Sequence, residues 1–298
     1  MIYEMLQTVF PAQRLMQNEP MSRHTTFHVG GPADFIALPA SEEELLCAIR
    51  IAEQCGVPWI IVGNGSNLLV RDGGIRGLVI LLGEAFARME RAESEISAQA
   101  GVSLARLSAF AANAGLAGLE FASGIPGTLG GGVCMNAGAY GGQLSDTIVS
   151  ARVLLHGELQ TLSREQLQMG YRTSLPLREG GIVLGARFAL TLDDTSAIQA
   201  RMHELNARRR DKQPLNFPSA GSTFKRPEGY FAAALIDQAG LKGRSVGGAQ
   251  VSEKHAGFII NKGGATASDI LTLMDQVQAE VLRQFGVSLE PEVRIVGE

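Results

Sequence analysis

Ser123-Gly-Ile-Pro-Gly-Thr-Leu-Gly-Gly-Gly132, continuing to Asn136-Ala-Gly-Ala-Tyr140, belongs to a stretch with eight glycines between residues 124 and 142. Glycine loses more chain entropy on folding than any other residue, so it serves where the backbone needs positive φ or a close approach. Three glycines in a row predict a backbone with little side-chain cover, suited to lie against a flat ring or a phosphate edge. A tight turn between strands is the simpler alternative, and it suits small clusters better than this one. Two further clusters, five glycines in 63–77 and seven in 240–264, raise the three-cluster total to 20 of the 36 in the chain. The excess over the usual ~7% is therefore local, and no G-X-Y period makes it fibrous.

The 63–77 cluster opens with Gly63-Asn-Gly-Ser-Asn67 after the apolar run 57–62, which reads as a buried strand. Ligand sites collect at such strand ends. The Rossmann pattern fails, because Leu68 stands where its last glycine would be, and no Walker lysine follows either glycine loop. The loop does offer successive backbone N–H groups with the short donors Asn64, Ser66 and Asn67, a nest for a phosphate or pyrophosphate. Two such loops in one domain suit a long dinucleotide.

Around them, Ser41-Glu-Glu-Glu44 reads as a capping box opening a helix with Leu45, Leu46, Ile49 and Ala52 on one face and Gly56 as its stop. Strands are predicted at 78–82 and 95–100 and a helix over 103–114. Past the glycine stretch the period becomes two: 150–155 and 158–162 flank a His156-Gly157 turn, and Ile182, Leu184, Ala186, Phe188, Leu190 and Leu192 alternate with a less apolar face. Antiparallel half-buried sheet beside helices predicts an α+β fold. At 298 residues the chain is too long for one ordinary core. The expected division is an N-terminal segment 1–21, a domain 22–194 and a smaller domain 195–298, with a long polar helix following Asp193-Asp194. The second domain is expected to end in a helix over 267–285 and a strand over 289–296. All five lysines (Lys212, Lys225, Lys242, Lys254 and Lys262) fall there, which suggests that it too handles an anion.

A net charge of −4 excludes nonspecific nucleic-acid binding. No apolar run is long enough for membrane insertion and the first residues lack a signal-peptide pattern, so a cytoplasmic location is expected. Cys47, Cys55 and Cys134 are too scattered for a disulfide framework or a zinc site, and no metal is expected. His24, His28, His156 and His203 have no companion at ligand spacing.

Six motifs occur in an order that resembles the UDP-N-acetylenolpyruvoylglucosamine reductase family. They are Gly63-Asn-Gly-Ser-Asn67; Gly124-Ile-Pro-Gly-Thr128 with Asn136-Ala-Gly138; Tyr171-Arg172-x-Ser174; Ala220-Gly-Ser-x-Phe-Lys225; Lys254-His-Ala-Gly-Phe-Ile259; and Glu290-Pro-Glu-Val-Arg294. The match runs from about residue 22 to the C-terminus. The resemblance implies an FAD-binding domain of the vanillyl-alcohol oxidase and p-cresol methylhydroxylase type, plus a smaller C-terminal α+β substrate domain. It implies FAD and NADPH as cofactors and a UDP-N-acetylglucosamine enolpyruvate substrate; separately, a monomer is expected.

The implied reaction adds hydride from the flavin to the enolpyruvyl methylene, leaving negative charge that a proton must follow. Arg172 resembles the family's clamp, a guanidinium able to meet a carboxylate with two parallel N–H bonds; read without the family it is a surface arginine on a turn. Ser222 resembles the proton donor, and a serine needs a nearby cation to act as an acid, for which Lys225 is the candidate. Glu292 resembles the second acid, useful beside an anion only if kept protonated; alternation alone puts Glu290, Glu292 and Arg294 on a solvated face opposite Leu289, Val293 and Ile295. The implied FAD contacts are Gly63, Asn64, Gly65, Ser66, Asn67, Gly124, Ile125, Gly127, Thr128, Asn136, Gly138 and Ala139. Those implied for substrate or NADPH are Tyr171, Gln213, Lys225, Arg226, His255 and Arg294. The chain departs from the family in having Arg226 where many members carry asparagine. With tyrosine only at 3, 140, 171 and 230, it resembles the shorter subtype without an inserted tyrosine loop. Two alternatives stay open at this point: an FAD-dependent oxidase of the same flavin fold, and a non-catalytic nucleotide-sugar-binding protein.

Overall fold

The computed structural model describes residues 1–298. The chain forms two compact units, and both are discontinuous: unit one is Met1–Leu15, Ala37–Asn64 and Ile80–Arg209, and unit two is Met16–Ile36, Gly65–Val79 and Arg210–Glu298. The linear boundary expected at 194/195 thus gives way to an interleaved one, for two reasons. Arg294–Val296 pairs in parallel with Leu68–Val70, which draws an early stretch into the C-terminal unit. The helix Thr195–Lys212, expected to open the second domain, is tied to unit one by Arg201, which meets Glu120 at 2.8 Å and Asp193 at 2.6 Å.

Unit one is built on a five-stranded antiparallel sheet in the order Glu158–Ser163, Ile148–Leu155, Ile182–Ala189, Glu95–Gln99, Met89–Ala92. His156 and Gly157 both take positive φ (50° and 80°) between the paired residues Leu155 and Glu158, the primed geometry that matches strand twist. The strand ends at Ala189, and the alternation expected through Leu192 holds only to the buried Leu190. Thr191–Leu192 leaves the sheet to pair with Leu116–Ala117, and Leu192 is exposed. The helix Glu42–Gln54 begins as predicted, with Ser41 Oγ accepting the Glu44 N–H at 3.3 Å. The Glu44 carboxylate binds Arg14 and the Ala40 N–H, so the Ser41 cap is not reciprocated.

The glycine stretch expected as open loop contains a short helix, Leu129–Cys134. A Cβ at Gly130 would lie 3.0 Å from Ala100 Cβ, and one at Gly132 would lie 3.1 Å from Leu144 Cδ1 and 3.2 Å from Leu104 Cδ1. Two of the three consecutive glycines therefore bring a helix against its own core, where Leu104, Leu129, Val133 and Leu144 are fully buried. Gly131 alone matches the expected bare backbone: it is exposed, and the nearest atom to its added Cβ is Thr128 Oγ1 at 4.0 Å.

Unit two packs around the helix Ala267–Phe285, whose buried stripe is Ile270, Leu273, Met274, Val277 and Val281. Thr266 and Asp269 form a capping box at its start, and Gly286 ends it at a φ of 67°. The 240–264 glycines resolve largely into turns around a three-stranded sheet, Ser245–Val246, Ala249–Val251 and Ile259–Asn261. Of the strand predicted over 289–296 only Arg294–Val296 is regular, while Pro291 makes a single bridge to Phe224. Leu289 and Val293 are buried as expected, but Ile295 is 36% exposed. No helix is long and apolar enough to cross a membrane.

Candidate functional site

Unit one brings two predicted cofactor segments together. A Cβ at Gly63 would overlap Thr128 Oγ1, so only glycine permits that approach, and Asn64 Nδ2 donates to the Pro126 carbonyl at 3.4 Å. Leu104 N–H donates to Gly127 C=O (2.9 Å) and Leu129 N–H to Val102 C=O (2.7 Å), which fixes the Gly127–Thr128 backbone. Gly138 and Ala139 pair with Gln143 and Gly142 in a small hairpin whose tip holds Tyr140 at a φ of 54°. Ile125 packs against the unit's core. Gly65, Ser66 and Asn67 fall in unit two, so the first glycine motif is divided between the units.

Three observations fit a planar, dianionic dinucleotide such as FAD at this segment. Gly131 presents bare backbone. The Ser123 hydroxyl, next to Gly124, is buried without a hydrogen-bond partner. Arg209, which sequence reasoning missed, presses on Gly124 from the 195–212 helix: a Cβ there would lie 2.9 Å from Arg209 Cδ and 2.7 Å from Asn206 Oδ1. Burial holds the Arg209 pKa below its usual value, and Tyr140 is the only group acting in the opposite sense. A half-buried guanidinium without a carboxylate is chemically poised for an anion. The run Arg208-Arg209-Arg210 was the available signal, masked because a polar helix reads as a solvated one.

Arg172 sits at the tip of a tight turn in unit one. Gly170 N–H donates to Thr173 C=O at 3.0 Å and Thr173 N–H returns to Gly170 C=O at 3.4 Å. Arg172 has a φ of 55°, a conformation that a bulky side chain rarely adopts, and its guanidinium lies 5.2 Å from the centroid of the exposed Tyr171 ring. Ser174 is fully buried; its hydroxyl donates to Cys134 C=O at 2.8 Å and accepts the Leu177 N–H. Asn136, predicted to contact cofactor, has its side-chain amide engaged within the protein and only 3% of its surface exposed.

Unit two brings Ser222 and Glu292 to one place. Glu292 N–H donates to Thr223 C=O and Lys225 N–H to Glu290 C=O, both at 2.8 Å, so the two segments run side by side. Asn67 joins them: its Nδ2 donates to Glu292 C=O at 3.0 Å and its carbonyl accepts the Arg294 N–H at 2.9 Å. Thr223 is buried between Gly257 C=O and Ile259 N–H, which leaves Ser222 exposed at the turn. The cation expected beside Ser222 is otherwise occupied, since Lys225 pairs with the Glu290 carboxylate. Arg226 stacks on exposed Phe231 at 4.5 Å.

Gln213 lines a cavity of about 440 Å³ with Arg210, Leu215, Asn216 and Lys254, and its Oε1 is buried without a partner. Lys254 Nζ donates to Arg210 C=O at 2.5 Å. A second cavity of about 200 Å³ holds His255 with Asp237, Lys242 and Lys254. Burial pushes the His255 pKa down, as does Lys242, while the Gly257 N–H donates to its Nδ1 at 3.2 Å. Both burial and Lys242 favour the neutral imidazole.

Comparisons with known proteins account for both parts of the chain. A family model described as an FAD binding domain matches residues 33–163, and one described as the UDP-N-acetylenolpyruvoylglucosamine reductase C-terminal domain matches 213–296. The reductase of that name from Agathobacter rectalis is 54% identical, covering 97% of this chain and 96% of that protein. Its counterpart from Geobacillus kaustophilus is 47% identical, covering 100% and 98%. The crystal structure of the Thermus caldophilus reductase superposes with a TM-score of 0.80 at 37% identity, over 95% of this chain and 98% of that one. With the six ordered motifs and both domains accounted for, the chain belongs to the UDP-N-acetylenolpyruvoylglucosamine reductase family.

Proposed function

We propose that this protein is an NADPH-dependent flavoenzyme that reduces UDP-N-acetylglucosamine enolpyruvate to UDP-N-acetylmuramate for peptidoglycan synthesis, working as a cytoplasmic monomer. The observation that carries the reading is the backbone pairing of 223–225 with 290–292, which holds Ser222 and Glu292 in one small region. Bound FAD supplies the hydride, which it takes from NADPH. The protein has three tasks around that transfer. Arg172, always charged, meets the substrate carboxylate and the negative charge that grows on the carbon beside it. Ser222 gives that carbon its proton, and the resulting alkoxide must be reprotonated from solvent. Glu292, in its protonated form, donates a further hydrogen bond to the developing anion. The net change saturates one C=C bond at the expense of NADPH and one proton.

Gly63, Asn64, Gly124, Ile125, Gly127, Thr128, Gly138 and Ala139 supply the backbone and short donors for FAD, and Gly65, Ser66 and Asn67 complete the first motif. Tyr171, Gln213, Lys225, Arg226, His255 and Arg294 contact substrate or NADPH, with Lys254 and Arg210 adding positive charge beside Gln213. The test separates the half-reactions. Ser222→Ala should allow flavin reduction by NADPH at the wild-type rate and slow reoxidation by the enolpyruvyl substrate by about 10³-fold or more. A variant that turns over substrate normally, or cannot accept hydride from NADPH, would remove Ser222 from the proton-donor role.

A further inference from the structure

Asn136 is buried, takes a φ of 44°, and makes contacts that fix which way its amide points. Its Oδ1 accepts the Ser145 backbone N–H at 3.0 Å, and an N–H can only donate. The Nδ2 is thereby assigned to the other side, where Gln143 Oε1, Ser145 Oγ and the Gly170 carbonyl all lie at 3.2 Å. A carbonyl can only accept, so the Gly170 contact is a directed hydrogen bond. Gly170 C=O is the same oxygen that receives the Thr173 N–H and closes the turn carrying Arg172. Ser174, at the other end of that turn, is tied to Cys134 C=O. The Arg172 turn is therefore held at both ends by residues 134–136.

We propose that Asn136 is a positioning residue for Arg172, holding the Gly170 carbonyl so that the turn keeps Arg172 left-handed and its guanidinium aimed. This rests on the reading of Arg172 as the carboxylate clamp. A left-handed arginine relaxes unless its surroundings over-determine it, and the Asn136 amide is a fixed, desolvated donor able to do so. The side chain is then no ligand of the flavin, contrary to its place in the cofactor motif.

The test is a double-mutant cycle in the holoenzyme. Asn136→Asp keeps the volume and the Ser145 acceptor but replaces the donor with an oxygen facing a carbonyl. Reoxidation by the enolpyruvyl substrate should slow about 10- to 100-fold, the scale of a misplaced catalytic group. The FAD dissociation constant, read from flavin fluorescence, should stay within about twofold. On an Arg172→Ala background the same substitution should cost less than about twofold, because the residue it positions is gone. A purely structural role would give additive losses, and a cofactor-ligand role would weaken FAD; either result overturns the proposal. Asn136→Gly, which deletes the amide while relaxing the positive φ, carries the same expectations where the aspartate variant does not fold. If Arg172→Ala alone reoxidises at the wild-type rate, the clamp assignment fails. If Arg172→Ala is impaired but Asn136→Asp is not, only the positioning role fails.

Discussion

Replacing Gly131 with alanine should stabilise the apoprotein and weaken its hold on FAD. Gly131 is inside the helix Leu129–Cys134, where alanine is preferred over glycine by ~0.5–1 kcal/mol. The added methyl meets nothing closer than Thr128 Oγ1 at 4.0 Å, so no packing cost offsets that gain. For a domain of this size the melting temperature should rise by roughly 1–4 °C. If this bare face lies against the flavin, the methyl must displace it, at the ~1–3 kcal/mol typical of one inserted methyl group. The FAD dissociation constant should then rise about 5- to 150-fold. Gly132→Ala is the control: its Cβ would lie 3.1–3.3 Å from Leu144 and Leu104 side-chain carbons, so overpacking should cancel or exceed the helix gain. Thermal unfolding of FAD-stripped protein and flavin-fluorescence titration give the two readouts. An apoprotein destabilised by Gly131→Ala would refute the open-space reading, and unchanged FAD affinity would refute the flavin-facing one.

Arg209→Met should weaken FAD about tenfold or more while leaving the weaker affinity for riboflavin, which has no phosphate, unchanged; equal weakening of both would show that Arg209 acts through packing. Asp72 accepts from Ala267 N–H (2.8 Å), Ser268 N–H (2.9 Å) and Ser268 Oγ (2.7 Å). Burial pushes its pKa up, but the Ser268 hydroxyl and the two N–H groups outweigh that and hold it below the usual range. Asp72→Ala should cost about 2 kcal/mol in urea unfolding at neutral pH. The contribution is present above the unfolded pKa of ~3.9 and disappears as pH falls through the lower folded value, and a loss that persists unchanged in strong acid would contradict it. His255 titrates in the folded protein below its unfolded value of ~6.5. Its contribution is complete above that pH and declines as the pH falls toward the folded value, because the unfolded chain takes the proton first. The urea midpoint should therefore drop between pH 7.5 and 5.5 by less in His255→Gln than in the parent, and parallel curves would contradict the neutral-imidazole assignment.

What could be read in the sequence was local. Ser41 capping and the Leu45–Ala52 stripe gave the first long helix, the apolar stripe within 267–285 gave the last, and His156-Gly157 gave the hairpin, because caps, periods and turn residues act over a few positions. The helix inside the glycine stretch was hidden because Gly130 and Gly132 report a close approach to Ala100, Leu104 and Leu144, which one-dimensional reading cannot tell from an approach to a ligand. The interleaved units were hidden because Leu68–Val70 finds its partner at Arg294–Val296. At the candidate site the residue types were legible from motifs, but not which atoms were already engaged: Asn136 turns inward, Lys225 is paired with Glu290, and Arg209 waits on a helix that looked merely polar.

The Leu68–Val70 pairing with Arg294–Val296 also sets the order in which the protein can mature. Unit one uses no residue beyond Arg209, so its sheet and the Gly124–Ala139 platform can close while the rest of the chain is still being synthesised. Unit two cannot, since a parallel pair between distant stretches forms only after the last strand leaves the ribosome. Until then the early strand presents an unpaired edge, and the Glu292 carbonyl that Asn67 will cap does not yet exist. A nascent chain therefore completes the 124–139 segment of unit one first and the pairing of 223–225 with 290–292 in unit two last. Slow late steps of synthesis should expose unit two, and not unit one, to aggregation.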